Sequence, residues 1–301
     1  MRLTRLSVAL AAGFALCAAV PSHAGTLDRI KQDAKIRLGY RADARPFSYS
    51  DASGNPAGYS VALCHEVVDA LKKSLGLADL PVETVKIDAD DRFDAISDGK
   101  VDLLCGASTA TRARREQVDF SLPIFPGGIG ALLHRSAPER LKAVLEGREV
   151  PYQPRWRASL AQVLEKRTLS AQKGTTAASW LAKKRDQFEV NAEIVEVGSY
   201  AEGVDRVMAG KTDVLFGDRA ILLESAASSA HPGDLVVLSR QYTYEPIALA
   251  FARGDDDFRL LVDRTLSKLY RSGRIFNTYT QYFGEPDDTT QSFFRFVALP
   301  D

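Results

Sequence analysis

The 301-residue sequence has few of the residues that build metal centres: four histidines and three cysteines. So few imidazole and thiolate groups, with no cluster among them, predict no metal site, and no cofactor is expected. The sequence also lacks an excess of charge, because lysine plus arginine and aspartate plus glutamate number 39 each. Without a net positive charge, nucleic acid is not expected as a partner.

Long apolar runs are absent after the N-terminus. Arg2 and Arg5 precede an apolar run over 6–20, which ends in a small-x-Ala sequence at Ala24. This pattern predicts a secretory signal peptide over residues 1–24, cleaved after its last alanine. The run is shorter than the roughly 20 residues that span a bilayer, which disfavours a membrane anchor. We therefore expect an exported, periplasmic protein.

Removal of the predicted signal peptide leaves two cysteines, Cys64 and Cys105. An even number of cysteines in an oxidising compartment favours a disulfide bond. Two buried free thiols are the alternative, because unpaired cysteine is common in protein cores.

The remaining sequence alternates strand patterns with helical patterns. Strands at 35–40, 81–87 and 101–105 alternate with helices, one of them beginning at Ser60 as its expected N-cap. A similar alternation restarts after about residue 130, which predicts two α/β units. Residues 136–167, rich in proline, arginine and glutamate, are predicted to be a surface insertion with one or two short helices.

Charged and hydroxyl residues follow several of the predicted strands. Arg41 follows the first strand, residues 107–111 follow the third, and Thr175 and Asp218 follow strands of the second unit. Ligands of open α/β sheets bind beyond the carboxyl ends of the strands, so these residues are expected to line one cleft. An arginine and an aspartate across a cleft can bind the carboxylate and the ammonium group of an α-amino acid. Taken singly, each has an ordinary structural explanation, such as a helix N-cap or a surface ion pair.

Five segments of the sequence carry a resemblance to a known family. They are PFSYSDASGNPAGYSVALC (46–64), DGKVDLLCGASTATRARREQVDFSLPIF (98–125), KGTTAASW (173–180), AGKTDVLFGDRAILL (209–223) and EPIALAFARGDDDFRLLVDRTLSKLYRSGRI (245–275). With these segments the chain resembles the periplasmic solute-binding proteins of polar amino-acid ABC importers. TLDRI (26–30) and LGYR (38–41) favour the glutamate/aspartate-binding branch.

The resemblance implies the type II periplasmic binding protein fold, with two α/β lobes joined by a two-stranded hinge. Lobe 1 is expected to contain residues 25–126 plus 247–301. Lobe 2 is expected to contain residues 127–246, including the insertion at about 136–167.

The resemblance also implies roles for individual residues. Arg114, seven residues before Ser121, matches the arginine that grips the ligand α-carboxylate, which leaves Arg112 and Arg115 as bystanders. Thr109 is expected to help hold the same ligand. The full expected ligand-binding set is Arg41, Phe47, Tyr59, Ala107, Thr109, Arg114, Thr175, Tyr200 and Asp218.

Further roles depend on the branch of the family. Thr175 would contact the carboxylate from the second lobe, and Asp218 would receive the α-amino group. Arg41 would pair with a distal carboxylate in the acidic branch, whereas Phe47 and Tyr59 would form cleft wall or core. Ala107 would offer its backbone carbonyl.

Two positions depart from the glutamate/aspartate pattern. Tyr200 stands where a histidine is expected, and Ile129 stands where a small hydroxyl residue is expected. These departures leave open which side chain the bound amino acid carries.

The resemblance implies a monomeric binding protein without catalytic residues, which closes on an amino acid and docks on ABC permease subunits. Two alternatives remain open on the same fold. One is an enzyme similar to cyclohexadienyl or arogenate dehydratase, and the other is a ligand-sensing receptor subunit.

Overall fold

A computed structural model describes residues 25–148 and 163–300 of the chain. The predicted signal peptide and part of the predicted insertion lie outside these residues. None of the helices in the described ranges is long and apolar enough to cross a membrane. The same ranges contain no group of three or more histidine, cysteine, aspartate or glutamate side chains that could hold a metal ion.

The described strands are β1 (Ile36–Tyr40), β2 (Asp43–Ala44), β3 (Ser48–Ser50), β4 (Pro56–Ala57), β5 (Val82–Lys86), β6 (Leu103–Thr109), β7 (Val118–Gly127), β8 (Ile129–His134), β9 (Thr168–Gln172), β10 (Glu193–Val197), β11 (Val214–Asp218), β12 (Leu235–Val237) and β13 (Glu245–Ala252).

The described α-helices are α1 (Thr26–Asp33), α2 (Tyr59–Leu75), α3 (Arg92–Ser97), α4 (Glu139–Glu146), α5 (Thr176–Gln187), α6 (Tyr200–Met208), α7 (Arg219–Ala227), α8 (Asp256–Arg271), α9 (Arg274–Phe283) and α10 (Asp288–Val297).

Two five-stranded sheets organise these elements. The first has the order β5-β1-β6-β13-β7 and the second has the order β10-β9-β11-β8-β12. In each sheet the strands at one side pair in parallel, and the remaining neighbours are antiparallel. Helices cover the sheets, so each forms an α/β unit. We call the units around the first and second sheets lobe 1 and lobe 2, and they confirm the predicted two-lobed α/β fold.

The chain crosses between the lobes on two neighbouring strands. β7 leads into β8 through Gly128, and β13 brings the chain back into the first sheet, pairing antiparallel with β7. A Cβ atom at Gly128 would lie 2.0 Å from the carbonyl oxygen of Thr243. The close approach of the two crossing segments therefore requires glycine at this position.

Two local predictions need correction. Helix α2 begins at Tyr59 after Gly58, and Ser60 is not its N-cap. Gly58 has φ 126°, and a Cβ atom there would lie 2.3 Å from the carbonyl oxygen of Phe47, so glycine fixes the start of the helix. β6 extends beyond the predicted end at residue 105 to Thr109, because Ser108 and Thr109 still pair with Ala248 and Ile247 of β13.

The predicted disulfide is present between Cys64 and Cys105. It joins α2 to β6 inside lobe 1, and both residues are fully buried. The bond closes a loop with a sequence separation of 41 residues, which restricts the unfolded chain.

Replacement of both cysteines, Cys64→Ala with Cys105→Ala, is expected to lower the free energy of unfolding by about 2–4 kcal/mol. Equilibrium urea denaturation measures this loss. Wild-type protein unfolded in the presence of a reductant is the control and is expected to lose a similar amount. An unchanged urea midpoint in both samples would contradict a stabilising disulfide.

Candidate functional site

A polar cavity lies between the two lobes at the carboxyl ends of the central strands. Three of its lining residues are arginines, and they face one aspartate. The described lining consists of Arg41, Arg92, Ala107, Arg114, Thr175, Thr176, Ala177, Tyr200, Asp218 and Ile221. Six of these ten belong to the ligand-binding set expected from the sequence.

Arg114 reaches the cavity from the short helical turn that follows β6. One guanidinium nitrogen, Nη1, donates to the carbonyl of Thr109 at 2.8 Å, and Nη2 donates across the cleft to the carbonyl of Gly174 at 3.3 Å. Burial lowers the pKa of Arg114 to about 10, and the positive charge of Arg41 acts in the same direction. Arg112 and Arg115, its neighbours in sequence, are exposed.

Arg92 is the largest omission from the sequence prediction. Its side chain is 3% exposed, and Nη2 donates to the carbonyl of Gly174 at 3.0 Å. Its Nε is buried without a hydrogen-bond partner, and no carboxylate of the described residues forms an ion pair with it. Desolvation lowers the pKa of Arg92 well below the usual arginine value, and the charges of Arg114 and Arg41 lower it further. Its guanidinium carbon lies 4.3 Å above the centre of the Phe93 ring. A buried guanidinium without an ion pair favours an anionic ligand.

Arg41, in contrast, has its charge compensated within the protein. Its Nε and Nη2 donate to Oδ1 of Asp43 at 3.0 and 2.8 Å. Nη2 also donates at 2.8 Å to Oε1 of Gln172, which lies in lobe 2. The Gln172 amide in turn donates to the other Asp43 oxygen at 2.6 Å. The structure therefore places the guanidinium of Arg41 in an interlobe cluster with a carboxylate already bound to it.

Asp218 supplies the carboxylate at the cavity. Its Oδ1 accepts from the backbone nitrogens of Ala220 and Ile221 at 3.0 and 3.4 Å, so it is also the N-cap of α7. Oδ2 accepts at 3.4 Å from the nitrogen of Gly128 at the lobe crossing. Burial raises the pKa of Asp218 to about 6, partly offset by these backbone donors.

The threonine hydroxyls near the cavity donate their protons away from it. Thr175 donates to the carbonyl of Gln172 at 2.6 Å and accepts from Ala178 as the N-cap of α5. Thr109 donates to Oε2 of Glu245 at 3.1 Å and does not itself line the cavity. A hydroxyl has one proton, so both oxygens are left with lone pairs alone for any further contact.

Tyr200 begins α6 and is buried at the cavity wall. Its hydroxyl accepts from the backbone nitrogen of Asp218 at 3.4 Å. Burial raises the pKa of Tyr200 to about 12, so the phenol is neutral at physiological pH.

Phe47 and Tyr59 do not line the cavity. Both are fully buried, and their rings pack edge to face with each other and against Phe283. The Tyr59 hydroxyl donates to the carbonyl of Ile124 at 2.8 Å, which satisfies it inside the core. Both rings therefore lie in the aromatic core of lobe 1, which was the alternative to the cleft wall.

The residues missed by the sequence reasoning share a common location. Arg92 follows β5 after a short acidic loop, and Thr176 and Gln172 flank the exit of β9. All three lie at the exit of a strand, where ligands of open α/β sheets bind, and Thr175 at the exit of β9 was the one residue expected there. Glu245 lies at the start of β13, where nothing in the local sequence separates it from an ordinary hinge residue.

A larger cavity lies within lobe 2, lined mainly by apolar and aromatic side chains such as Trp180, Phe216 and Tyr242. Its described lining residues include three cationic side chains but no carboxylate. This cavity therefore cannot bind a zwitterion through both charges, as the interlobe cavity can.

Replacement of Arg92 by methionine is expected to stabilise the ligand-free protein by about 1–3 kcal/mol, because it removes an unpaired buried charge and keeps the volume. Urea denaturation without ligand measures the difference. Arg112→Met, at an exposed position, is the matched control and is expected to change stability by less than about 0.5 kcal/mol. A marked destabilisation by Arg92→Met would show that the charge is compensated in the folded protein.

Comparison with known proteins identifies relatives of this chain. Residues 36–285 match the sequence model of the bacterial extracellular solute-binding proteins, family 3. The L-glutamate/L-aspartate-binding protein of Pseudomonas aeruginosa is 29% identical over 263 residues, covering 87% of this chain and 81% of that protein. The glutamate/aspartate import solute-binding protein of Escherichia coli is 26% identical over 282 residues, covering 93% and 87%.

Solved structures share the fold. The cysteine-binding protein of Campylobacter jejuni is 25% identical with a TM-score of 0.69, covering 90% of this chain and 98% of that chain. An ancestral amino-acid-binding protein, described as a precursor of cyclohexadienyl dehydratase, is also 25% identical with a TM-score of 0.69, covering 86% and 100%. The family match spans most of the chain, and this protein therefore belongs to the bacterial extracellular solute-binding proteins, family 3.

Proposed function

We propose that this chain is the periplasmic binding component of an ABC importer and that it binds an acidic α-amino acid between its lobes. The observation that carries this proposal is the pair of unpaired guanidinium groups, Arg92 and Arg114, which face Asp218 across one cavity. The names of the Pseudomonas and Escherichia coli relatives support an acidic ligand.

The charges of the cavity support an acidic ligand over a neutral one. Arg41 and Asp43 neutralise each other, which leaves two positive charges and one negative charge on the side chains that line the cavity. Glu245 does not line the cavity, but its negative charge acts on Arg114 and on Asp218. An acidic amino acid at neutral pH carries two carboxylates and one ammonium group, so its charges complement these. A neutral amino acid would leave one buried arginine without an anion, which is costly in a desolvated site.

A role for each charged residue follows from this count. Arg114 would bind the α-carboxylate, and Arg92 would bind the distal carboxylate, the role first expected of Arg41. Asp218 would receive the α-amino group, with the acceptor oxygen of Thr109 and the carbonyl of Ala107 as further partners. The first turn of α5 would supply backbone donors to a carboxylate.

Binding would require the lobes to open and close. The space free for a water molecule in the cavity is about 20 Å³, which is room for about one water and not for an amino acid. Entry would therefore need hinge bending at the two crossings, and the ligand would hold the closed form through contacts to both lobes. The closed form would then dock on the permease subunits.

An enzymatic role similar to cyclohexadienyl dehydratase is the second candidate. The solved structure that supports this role is that of an amino-acid-binding precursor of the enzyme, not of the enzyme itself. Dehydration needs an acid to protonate the leaving hydroxyl, and Asp218 would be the acid, since its pKa lies near 6.

Calorimetric titration of ligand-free protein with the twenty amino acids tests the proposal. We expect glutamate or aspartate to bind most tightly, with their amides at least about 100-fold weaker, because an unpaired buried charge costs several kcal/mol. Prephenate and arogenate are included, with product formation followed by absorbance. Turnover of either, without amino-acid binding, would refute the transport role.

Arginine variants test the assignment of the two carboxylates. Arg114→Ala is expected to abolish binding of every amino acid, whereas Arg92→Met is expected to weaken acidic ligands by about 100-fold and neutral ones little. Arg112→Ala, at an exposed position, is the control and leaves affinity unchanged. Equal losses for acidic and neutral ligands in Arg92→Met would remove the case for a distal-carboxylate site.

Affinity is also expected to depend on pH through Asp218. The free carboxyl has a pKa of about 6, raised by burial and by Glu245 and lowered by the nitrogens of Gly128, Ala220 and Ile221. A bound ammonium group would lower this pKa, so affinity is constant above about pH 7 and falls below pH 6, by up to about tenfold per unit.

Calorimetry between pH 5 and 8 measures this slope, because free glutamate and aspartate do not titrate appreciably in that range. Asp218→Asn is the control, with weak binding that is independent of pH. A slope that survives in Asp218→Asn would assign the titration to another group.

A further inference from the structure

Glu245 lies at the point where the chain returns from lobe 2 to lobe 1. It is the first residue of β13 and lies opposite Gly127, the last residue of β7, in the antiparallel pairing of the two crossing strands. Its side chain is therefore anchored at the hinge and can reach both lobes.

The carboxylate of Glu245 accepts three threonine hydroxyls. Oε2 accepts Oγ1 of Thr109, on β6 of lobe 1, at 3.1 Å, and Oγ1 of Thr176, on α5 of lobe 2, at 2.7 Å. Oε1 accepts Oγ1 of Thr243, in the returning segment, at 2.9 Å. One oxygen atom thus joins the two lobes through two hydrogen bonds to a charged acceptor, which are stronger than neutral ones.

These bonds also set the direction of the hydroxyl protons. Thr109 and Thr176 each have one hydroxyl proton, and both protons point to Glu245. In any further contact these oxygens can only accept, which suits an ammonium group and repels a carboxylate. Of the two residues, Thr176 lines the cavity. The ligand's carboxylates are left to the arginines and to the backbone nitrogens of α5.

We infer that Glu245 is a positioning residue of the binding site: its carboxylate clasps the two lobes in the closed form and orients the hydroxyls of Thr109 and Thr176. This inference deepens the proposed function and rests on it, because the clasp has a role only if a ligand controls closure. Glu245 itself does not line the cavity.

The test compares Glu245→Ala with Tyr244→Ala. Tyr244 is the adjacent residue and is 90% exposed, so its replacement should change neither binding nor closure. Ligand dissociation is followed by stopped flow with glutamate or aspartate, and lobe closure by small-angle scattering with and without ligand. Glu245→Ala is expected to dissociate about tenfold faster, since one charge-assisted hydrogen bond must break on opening. It should also be less compact at saturating ligand.

A double-mutant cycle with Thr176→Val separates the clasp from a general loss of structure. If Glu245 acts through Thr176, the double variant Glu245→Ala/Thr176→Val dissociates no faster than either single variant. Additive effects, or unchanged closure in Glu245→Ala, would overturn the inference. Thr176→Val alone keeps the test decisive should the Glu245 variant fail to fold, because it too is expected to speed dissociation and weaken closure.

Failure of the clasp and failure of the proposed function give different results. If the wild-type protein binds none of the twenty amino acids, the proposed function fails. The ligand-free scattering of Glu245→Ala then decides the clasp: an expansion relative to Tyr244→Ala supports it, and identical profiles refute it.

Discussion

Desolvated positive charge is the constraint around which the interlobe region is arranged. Three guanidinium groups, of Arg41, Arg92 and Arg114, lie close together in one cavity. Burial lowers the pKa values of Arg92 and Arg114, and the charge of Arg41 lowers both further. Like charges in a poorly solvated space repel strongly unless anions accompany them. The protein supplies Asp43 for one of them and leaves the others to carbonyl oxygens. Arg92 and Arg114 therefore form no ion pair within the described residues, which is the basis of the proposed anionic ligand.

Hydrogen-bond acceptors complete this arrangement from both sides of the cleft. The carbonyl of Gly174 receives Arg92 and Arg114, and Lys173 beside it forms an ion pair with Asp90 at 2.6 Å. The turn between β9 and α5 therefore connects lobe 2 to lobe 1 in two ways. Its Gly174 carbonyl accepts from arginines of lobe 1, and its Lys173 forms an ion pair with Asp90 of lobe 1. The groups that bridge the lobes are also groups that surround the cavity, so the interlobe contacts and the charge balance of the cavity depend on the same residues.

The sequence was sufficient for the fold and for part of the site. Alternating periodicities predicted the two α/β units, and the even cysteine count favoured the bond between Cys64 and Cys105, because these signals are local or depend on compartment. Side-chain pairing depends on tertiary structure as well as on local sequence. The Asp43 carboxylate that neutralises Arg41 is only two residues away in sequence, but the amide that completes the cluster belongs to Gln172 of lobe 2. Arg92, within an acidic stretch, had the pattern of a solvated helix start. Only the tertiary structure shows that Arg92 is buried, whereas Asp90 and Asp91 beside it are exposed.

The position of β13 has a consequence for the order in which the chain can fold. This strand lies between β6 and β7 in the first sheet, although lobe 2 separates it from both in sequence. A chain that emerges from its N-terminus during synthesis cannot complete the first sheet until residue 252 has emerged, whereas the strands of the second sheet are continuous in sequence. Lobe 2 can thus mature first, and until then the β6 and β7 edges are open to wrong pairing. The disulfide between α2 and β6 links two elements of lobe 1 that both precede lobe 2 in sequence, so it can form before β13 is available.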